Sequence, residues 1–213
     1  MVEELTIGKL TESVGRVASC LESGGIVLVP TDTVYGLAVH PERQEAIGRL
    51  YAMKGRPPAR NLPVMVSDAA EIDGLGGVLS DAARRLVMSD FVPGPVTMAV
   101  GVAPEKLAPW LAGRTEFAFR VPATPELRAL LRATGPLLVT SANMHAEETR
   151  ESVAEILASL AGEPDIVVDG GKRASVPSTL VNCRLDPPVV ERVGLVGEAE
   201  IARVLGQGQA ACP

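Results

Sequence analysis

The chain has 213 residues, of which 46% are hydrophobic and 22% are charged, and its formal net charge at pH 7 is −6. These values are typical of globular proteins, and a chain of this length can bury about 70% of the surface that it exposes when unfolded. The composition therefore excludes a largely disordered chain, and the negative charge argues against a long surface that neutralises nucleic-acid phosphates.

Hydrophobic spacing and turn residues predict alternating helices and strands in the first half of the chain. Apolar residues recur at helical spacing from Leu10 to Leu21, and Gly24-Gly25 is typical of a helix end. An apolar strand at residues 25–29 runs into Thr31-Asp32-Thr33, and a second apolar segment follows. Next we predict a helix with Pro41 in its first turn and Lys54 and Arg56 at its C-terminal end. A strand at 63–66 and a helix capped by Ser80 follow.

The second half of the chain continues this pattern. We predict strands at 96–100, 117–121, 137–140, 166–168, 178–181 and 189–193, and helices at about 104–112, 124–135, 152–162 and 198–205. Ser152 and Glu155 have the spacing of a capping box. Because no repeat or linker interrupts the pattern and some strands are consecutive, we predict one three-layer α/β (α+β) domain with a mixed sheet over residues 1–205, followed by a disordered tail at 206–213.

Short polar side chains stand at the ends of several predicted strands. The segments are Thr31-Asp32-Thr33, Thr140-Ser141-Ala142-Asn143 and Pro177-Ser178-Thr179. In open α/β sheets small ligands bind beyond the carboxyl ends of strands, where backbone N–H groups and short side chains meet. Each segment alone is equally compatible with a plain turn, because Asp, Asn, Ser and Thr are common turn residues. Their recurrence favours a site for a polar small molecule.

Arg120 lies within the predicted strand at 117–121. Strict alternation places Phe117, Phe119 and Val121 on one face of the sheet, and Arg120 with Ala118 on the other. If that second face is covered, the guanidinium needs a carboxylate or phosphate partner, because an unpaired buried charge costs several kcal/mol. If the face is exposed, Arg120 is merely solvated. The sequence leaves both possibilities open.

Other cations could bind an anion near these polar segments. Lys54, Arg56 and Arg60 form a basic cluster that could hold a triphosphate, and Arg192 is a fourth candidate. Lys54 and Arg56 could equally complement the negative end of the helix that precedes them.

The residues present disfavour several other chemistries. Gly170-Gly171-Lys172 lacks the leading glycine and the hydroxyl residue of a P-loop. With only His40 and His145 there is no histidine metal cluster, and a Ser–His–Asp triad is disfavoured. The 3 cysteines are far apart and form no C-x-x-C pair, so neither a disulfide framework nor a zinc ribbon is indicated. Six aromatic residues are too few for an RNA platform that stacks bases.

The N-terminal residues and the apolar runs bear on localisation. Residues 1–4 are acidic and lack the basic and apolar regions of a signal peptide. No apolar run approaches the roughly 18 residues of a membrane span. We therefore expect a cytoplasmic protein with no membrane partner.

Seven motifs occur in a fixed order along the chain. They are Pro30-Thr31-Asp32-Thr33-Val34-Tyr35-Gly36-Leu37, Lys54-Gly55-Arg56-Pro57, Pro93-Gly94-Pro95-Val96-Thr97, Phe119-Arg120-Val121-Pro122, Thr140-Ser141-Ala142-Asn143, Asp169-Gly170-Gly171 and Pro177-Ser178-Thr179-Leu180-Val181. In this order they resemble the motifs of the YrdC-like family of threonylcarbamoyl-AMP synthases. The resemblance implies a YrdC-like fold with a twisted, mixed open sheet and a concave basic face. It also implies an enzyme, a nucleotidyltransferase, that condenses L-threonine, bicarbonate or CO2, and ATP into threonylcarbamoyl-AMP and pyrophosphate.

The resemblance implies a role for each matching residue. Thr33, Arg120 and Ser178 would bind threonine, with Arg120 on its carboxylate. The residues implied for ATP are Lys54, Arg56, Arg60, Ser141, Asn143 and Arg192, of which Lys54 and Arg56 are the catalytic candidates. Mg2+ would arrive on the triphosphate, since no metal-binding motif is evident. The product would pass to a tRNA threonylcarbamoyl transferase complex that modifies the adenosine beside the anticodon, with weak or no direct tRNA binding.

The chain departs from the family pattern in two places. Met144-His145-Ala146 stands where the family usually has Leu-Ser-Gly, and Glu116 stands where a small hydroxyl residue is common. An acid near a triphosphate is unfavourable unless it points away or meets magnesium. The additional C-terminal domain of longer relatives is expected to be missing. Two alternatives stay open: a nucleic-acid (tRNA)-binding module of the same fold, or a relative that acts on another carbamoyl compound.

Overall fold

The computed structural model describes residues 3–206, in which 11 strands form one sheet. In chain order the strands are β1 (Glu3–Thr6), β2 (Val27–Val29), β3 (Gly36–Val39), β4 (Val64–Met65), β5 (Gly77–Val78), β6 (Val96–Val102), β7 (Glu116–Arg120), β8 (Leu137–Ser141), β9 (Ile166–Asp169), β10 (Thr179–Asn182) and β11 (Val189–Arg192). The helices are α1 (Ile7–Glu22), α2 (Gln44–Met53), α3 (Glu71–Gly74), α4 (Asp81–Val87), α5 (Pro125–Thr134), α6 (Val153–Ser159) and α7 (Glu198–Leu205).

The sheet is mixed, with the strand order β1-β9-β2-β3-β8-β4-β7-β6-β10-β11, and β5 pairs with β6 outside this path. β1, β9 and β2 are parallel to one another, as are β4 with β7 and β6 with β10. The remaining neighbours are antiparallel. The register aligns Met65 with Arg120 on one side of β7, and Phe119 with Met98 on the other. Residues that are far apart in sequence therefore meet in the centre of the sheet.

Each face of the sheet carries its own apolar core. On one face α1 and α5 pack through Leu21 and Leu130 against the side chains of Val27 and Val29. On the other face Leu28 joins a core with residues of α2, α3, α4, α6 and α7. The alternation along β2 follows from the strand geometry, in which successive side chains point to opposite faces. The structure thus confirms the predicted three-layer α/β class with a mixed sheet.

Most of the predicted elements are confirmed, and the local signals explain their ends. Gly24 has φ +88° after α1, a left-handed conformation that glycine adopts without strain. The Ser80 side chain accepts a hydrogen bond from the Ala83 N–H. Ser152 and Glu155 form the predicted capping box at α6. No helix of the described residues is long and apolar enough to cross a membrane.

Some predictions are wrong. The segment at 104–112 is not one helix but two 3-10 turns, Pro104–Lys106 and Pro109–Leu111, because Pro109 has no N–H to continue a helix. Pro41 lies before α2, which begins at Gln44. The elements β1, α3 and β5 were not predicted at all. The domain boundaries stay a prediction, and the predicted tail lies outside the described residues except for Gly206, which ends α7.

Candidate functional site

One face of the sheet is left open beside α1 and α5. The apolar core under these helices contains residues of β2, β3, β4, β8 and β9, but, among the described residues, none of β6, β7 or β10. Phe117, Phe119 and Val121 pack into the opposite core, and Ala118 and Arg120 line cavities on the open side. The predicted alternation is therefore confirmed, and the open side forms the floor of a concave region.

Two adjoining cavities occupy this concave region. The inner cavity has a volume of about 130 Å³ and the outer one about 640 Å³, and Arg56, Thr97 and Arg192 line both. The predicted site residues that line the inner cavity are Thr33, Arg56, Arg120, Ser141, Ser178 and Arg192. Arg60 lines the outer cavity, whereas Lys54 and Asn143 line neither.

Arg120 is only 4% exposed and is held on three sides. Its Nε donates to the Gly94 carbonyl at 2.9 Å, and its Nη1 donates to Thr33 Oγ1 at 2.7 Å. Its Nη2 lies 2.8 Å from the Asp32 carboxylate. Burial lowers the pKa of the Arg120 guanidinium and Asp32 raises it, so the ion pair offsets part of the cost of burying the charge. Of the two possibilities that the sequence left open, the structure therefore shows the buried, paired arginine.

The loop between β2 and β3 places two hydroxyl groups beside Arg120. Thr31 and Thr33 are 2% and 1% exposed. The Thr31 hydroxyl donates to the Val34 carbonyl at 2.6 Å and accepts the Thr33 N–H at 3.0 Å. Thr31 thus closes the turn that presents Thr33 to the inner cavity. The turn and the cavity wall are therefore the same segment, because Thr31 and Thr33 of the predicted turn also line the cavity.

A second hydroxyl pair lies at the start of β6 and just before β10. Thr97 Oγ1 and Ser178 Oγ are 2.8 Å apart, and Arg192 Nη2 donates to Ser178 Oγ at 3.2 Å. Arg192 Nε and Nη2 also donate to the Ser178 carbonyl at 3.1 and 2.9 Å. Behind this pair, Gly194 donates its N–H to Thr179 Oγ1 at 2.9 Å. The parallel pairing of β6 with β10 brings these residues together.

The loop after α2 carries Arg56 and Arg60. Arg56 Nη2 donates to the Asn61 carbonyl at 2.8 Å, and Tyr51 OH donates to the Arg60 carbonyl at 2.9 Å. Arg114 fastens the same loop by donating to the carbonyls of Pro58 and Ala59 at 3.1 and 3.3 Å. The loop is therefore anchored through its carbonyl groups, with Arg56 at the boundary between the two cavities.

Positive charge dominates the inner cavity. Among residues 3–206, Arg120 is paired with Asp32, but neither Arg56 nor Arg192 has a carboxylate within 4.0 Å. Burial lowers the pKa of Arg192, and the nearby charges of Arg120 and Arg56 lower it further. Burial also lowers the pKa of Arg56. Three guanidiniums that repel one another around one cavity favour an anionic ligand, since such a ligand would relieve that repulsion.

Lys54 lies behind the cavity wall. It is 1% exposed, and its Nζ donates to the Asn143 carbonyl at 2.5 Å and to the Ser141 carbonyl. Ser141 Oγ in turn donates to Asn143 Oδ1 at 2.5 Å. Burial and the neighbouring Arg56 lower the pKa of Lys54 to about 7. Lys54 therefore ties the end of α2 to the segment after β8, and its predicted catalytic role stays a prediction.

The two departures from the family pattern have separate structural settings. Glu116 forms an ion pair with Arg184, so its charge is compensated at the edge of the outer cavity. The backbone N–H of His145 donates to the backbone carbonyl of Lys54 at 2.8 Å. Ala146, where the family has glycine, adopts φ +67°, a left-handed conformation that costs a residue with a Cβ about 1–2 kcal/mol.

The described part of the chain offers neither a metal-binding cluster nor an activated thiol. No group of three or more His, Cys, Asp or Glu side chains there could hold a metal ion. Cys183 is buried, and burial raises the pKa of its thiol to about 12. Cys20 is half-buried, and burial raises its pKa as well, so neither thiol is set up as a nucleophile.

Sequence reasoning did not assign three polar residues of this region. Asp32 and Thr31 stood in the first polar segment and Thr97 in a motif, but none was given a role at the site. Asp32 pairs with Arg120, Thr31 contacts Thr33, and Thr97 contacts Ser178. Thr31 could have been found from its position two residues before Thr33. The contacts of Asp32 with Arg120 and of Thr97 with Ser178 join residues far apart in sequence, so they require knowledge of the sheet order.

Sequence similarity relates the chain to a known family and to named proteins. Residues 19–194 match the Sua5/YciO/YrdC family model, described as telomere recombination. The threonylcarbamoyl-AMP synthase of Bacillus subtilis is 32% identical over 196 residues, which are 91% of this chain and 56% of that protein. The threonylcarbamoyl-AMP synthase of Pyrococcus abyssi is 28% identical over 195 residues, 89% of this chain and 56% of that protein. The chain thus spans about half the length of these two relatives.

Solved structures give the same relationship. The crystal structure of P. abyssi Sua5 complexed with L-threonine has a TM-score of 0.84 at 25% identity, covering 97% of this chain and 61% of that chain. The crystal structure of Escherichia coli YciO has a TM-score of 0.83 at 28% identity, covering 94% of this chain and 99% of that chain. The fold described above is therefore shared over nearly the whole chain.

Proposed function

The chain belongs to the Sua5/YciO/YrdC family, and from that membership we propose that it is a threonylcarbamoyl-AMP synthase. In this reaction L-threonine, bicarbonate or CO2, and ATP condense into threonylcarbamoyl-AMP and pyrophosphate. The observation that carries the proposal is the convergence of Arg56, Arg120 and Arg192 on one cavity beside neutral hydroxyl groups. Such a site suits a substrate pair that joins a polyphosphate to a small polar acid.

The inner end of the site suits the amino acid. A relative of the same fold is described as complexed with L-threonine. In this chain Arg120, Thr33 and Ser178 line the inner cavity. Gly94, Thr33 and Asp32 occupy three of the five N–H groups of Arg120, so two N–H groups remain for the threonine carboxylate. We propose that these three residues bind threonine, with Thr97 beside them.

The outer side of the site suits ATP. Arg56 and Arg192 line both cavities, Ser141 lines the inner one and Arg60 the outer one. Guanidinium forks match phosphate oxygens in geometry and charge, so we propose that these residues hold the triphosphate. Lys54 and Asn143 would act from behind this wall, through the contacts that fix Ser141.

The chemistry needs alignment more than a side-chain nucleophile. The carbamate formed from threonine would attack the α-phosphate, and pyrophosphate would leave with its electron pair. Holding the two reactants in adjoining cavities lowers the entropic part of the barrier, and fixed cations stabilise the charge that develops on the phosphate oxygens. We propose that Mg2+ enters with ATP as part of that substrate, and the Arg56 side chain would neutralise charge on the phosphates.

The product would be handed to a tRNA threonylcarbamoyl transferase complex. The net charge of −6 favours weak or no direct binding of tRNA by this chain. The curated relatives with named synthase activity support this function over a nucleic-acid-binding module.

Pyrophosphate release tests the proposal. Purified protein with ATP, L-threonine, bicarbonate and Mg2+ is expected to release pyrophosphate only when threonine is present. Arg56→Ala and Arg120→Ala are each expected to lose about 2–5 kcal/mol of ligand or transition-state stabilisation, about 30- to 5,000-fold in kcat/KM. Arg43→Ala removes an exposed arginine and serves as the control. Pyrophosphate release that is absent, or that is independent of threonine, would refute the proposal.

A further inference from the structure

The two hydroxyl pairs of the inner cavity differ in their hydrogen-bond partners. Thr31 Oγ1 and Thr33 Oγ1 are 3.1 Å apart, and Thr97 Oγ1 and Ser178 Oγ are 2.8 Å apart. An arginine donates at the end of each pair, Arg120 to Thr33 and Arg192 to Ser178. A hydroxyl has one proton and two lone pairs, whereas a guanidinium only donates, so the partners determine which hydroxyl donates to which acceptor.

The proton of Thr31 is committed to the loop backbone. Its Oγ1 lies 2.6 Å from the Val34 carbonyl oxygen, which can only accept. If the proton pointed elsewhere, two lone-pair oxygens would face each other at that distance. The Thr33 N–H, at 3.0 Å, occupies one lone pair of Thr31 Oγ1. The second lone pair faces Thr33 Oγ1, so the hydrogen bond between the two threonines has Thr33 as its donor.

Thr33 is thereby left with one free lone pair. Its proton points to Thr31, and one of its lone pairs accepts from Arg120 Nη1 at 2.7 Å. The remaining lone pair belongs to a side chain that lines the inner cavity. Thr33 therefore offers a ligand an acceptor and not a donor.

The second hydroxyl pair, Thr97 and Ser178, offers a ligand a hydrogen-bond donor. If Ser178 donates to Thr97, the Thr97 proton is free, and if Thr97 donates to Ser178, the Ser178 proton is free. Ser178 can accept from Arg192 in both arrangements. In either case one O–H of this pair is available to an acceptor of the ligand. The cavity thus has an accepting side at Thr33 and a donating side at Thr97 and Ser178.

We propose that Thr31 is a positioning residue that fixes the Thr33 hydroxyl as a hydrogen-bond acceptor for an N–H or O–H group of the amino-acid substrate. The inference rests on the proposed function, because it assumes that an amino acid occupies the inner cavity. Thr31 also lines the inner cavity, but its proton and both of its lone pairs are occupied within the loop, so it acts on the substrate through Thr33. Without Thr31 the Thr33 proton is free to turn into the cavity, where it would oppose the donor of the substrate.

Calorimetric binding of L-threonine to the full chain tests this inference. Thr31→Val keeps the shape of the side chain but removes the hydroxyl, and it is expected to raise the Kd about tenfold, the typical worth of one hydrogen bond. Thr31→Ser keeps the hydroxyl and is expected to bind within about twofold of the unsubstituted protein. If Thr31→Val does not fold, Thr31→Ala removes the same hydroxyl and carries the same expectation.

A double-mutant cycle separates positioning from a merely structural role in the turn. In a Thr33→Ala background, which has no hydroxyl to orient, Thr31→Val is expected to change the Kd less than twofold. In a Thr33→Ser background the tenfold effect is expected to persist. The inference would be overturned if Thr31→Val weakened threonine binding equally in the unsubstituted protein and in the Thr33→Ala background. It would also be overturned if Thr31→Val alone caused no loss, and either result would leave the proposed function intact. Failure of the unsubstituted protein to bind threonine would overturn both.

Discussion

Lys54 offers a sharp test of how the site is held together. Lys54→Met keeps an unbranched apolar stem and removes the ammonium group, which donates to the carbonyls of Ser141 and Asn143. Each buried acceptor left without a donor costs about 1–3 kcal/mol. Part of this loss is offset because the substitution also removes the cost of burying the ammonium charge. That cost is evident in the pKa of Lys54, which burial lowers to about 7. We expect a net loss of about 2–4 kcal/mol in the free energy of unfolding.

Urea unfolding followed by circular dichroism measures this loss. For a chain of this size about 1 kcal/mol corresponds to about 2–4 °C in Tm, so the Tm of Lys54→Met should lie about 4–16 °C below that of the wild type. Lys9→Met removes an exposed lysine of α1 and is expected to stay within about 0.5 kcal/mol. Lys54 in the native protein should also resist acylation whether or not ATP is present, since its side chain is buried.

The pH dependence of stability gives a second measurement on the same residue. The pKa of Lys54 is about 7 in the folded state, below its ordinary value of 10.5. Between these values the unfolded chain holds the proton and the folded chain does not, so the contribution of Lys54 to stability rises with pH. This contribution is complete above about 10.5 and is lost as the pH falls through 7. The difference in unfolding free energy between wild type and Lys54→Met should therefore grow from pH 7 to pH 10.

A different result would refute this reasoning. If Lys54→Met unfolds at the same urea concentration as the wild type but no longer binds ATP, Lys54 contacts the nucleotide directly. Acylation of Lys54 that ATP suppresses would lead to the same conclusion.

Three further substitutions test separate features of the site. Ala146→Gly should stabilise the protein by up to about 1 kcal/mol in urea unfolding, because φ is +67° there; a loss of stability would contradict the strain argument. Gly194→Ala should cost about 2–3 kcal/mol, since a Cβ there would clash with the Pro177 carbonyl oxygen. Gly101→Ala has open space around it and should be neutral or stabilising. Glu116→Gln should cost less than about 1 kcal/mol of stability and leave the KM for MgATP within about threefold, because Arg184 already compensates the acid; a tenfold fall in KM would show that Glu116 repels the triphosphate.

Much of the secondary structure follows from the sequence because local signals agree with the fold. Helix α7 spans the residues that its apolar spacing predicts, and the capping box at α6 satisfies the first backbone N–H groups within the same segment. The elements that the sequence missed are stabilised by partners far along the chain. β1 carries two glutamates in four residues and becomes a strand through parallel pairing with β9. Its pattern alone favours no strand.

The sequence by itself placed most of the candidate ligand residues near the cavities. Alternation along β7 placed Arg120 opposite the phenylalanines, and the short polar and basic segments supplied further candidates that line a cavity, whereas Lys54 and Asn143 line neither. These signals are local or lie in short segments, so they can be recognised without knowledge of the strand order.

Only the tertiary structure decided how these residues are paired. Whether Arg120 is solvated or buried depends on what covers its face of the sheet. The helices α1 and α5 leave that face uncovered, and Arg120 is buried by the loop between β2 and β3 and by the segment of Gly94. Asp32, in the loop between β2 and β3, forms an ion pair with Arg120 of β7. The Lys54 ammonium donates to the Asn143 carbonyl after β8 and does not line the cavity. The order of strands in the sheet determines which residues become neighbours. A buried charge needs a hydrogen-bond or ion-pair partner among those neighbours, so its partner cannot be identified before the strand order is known.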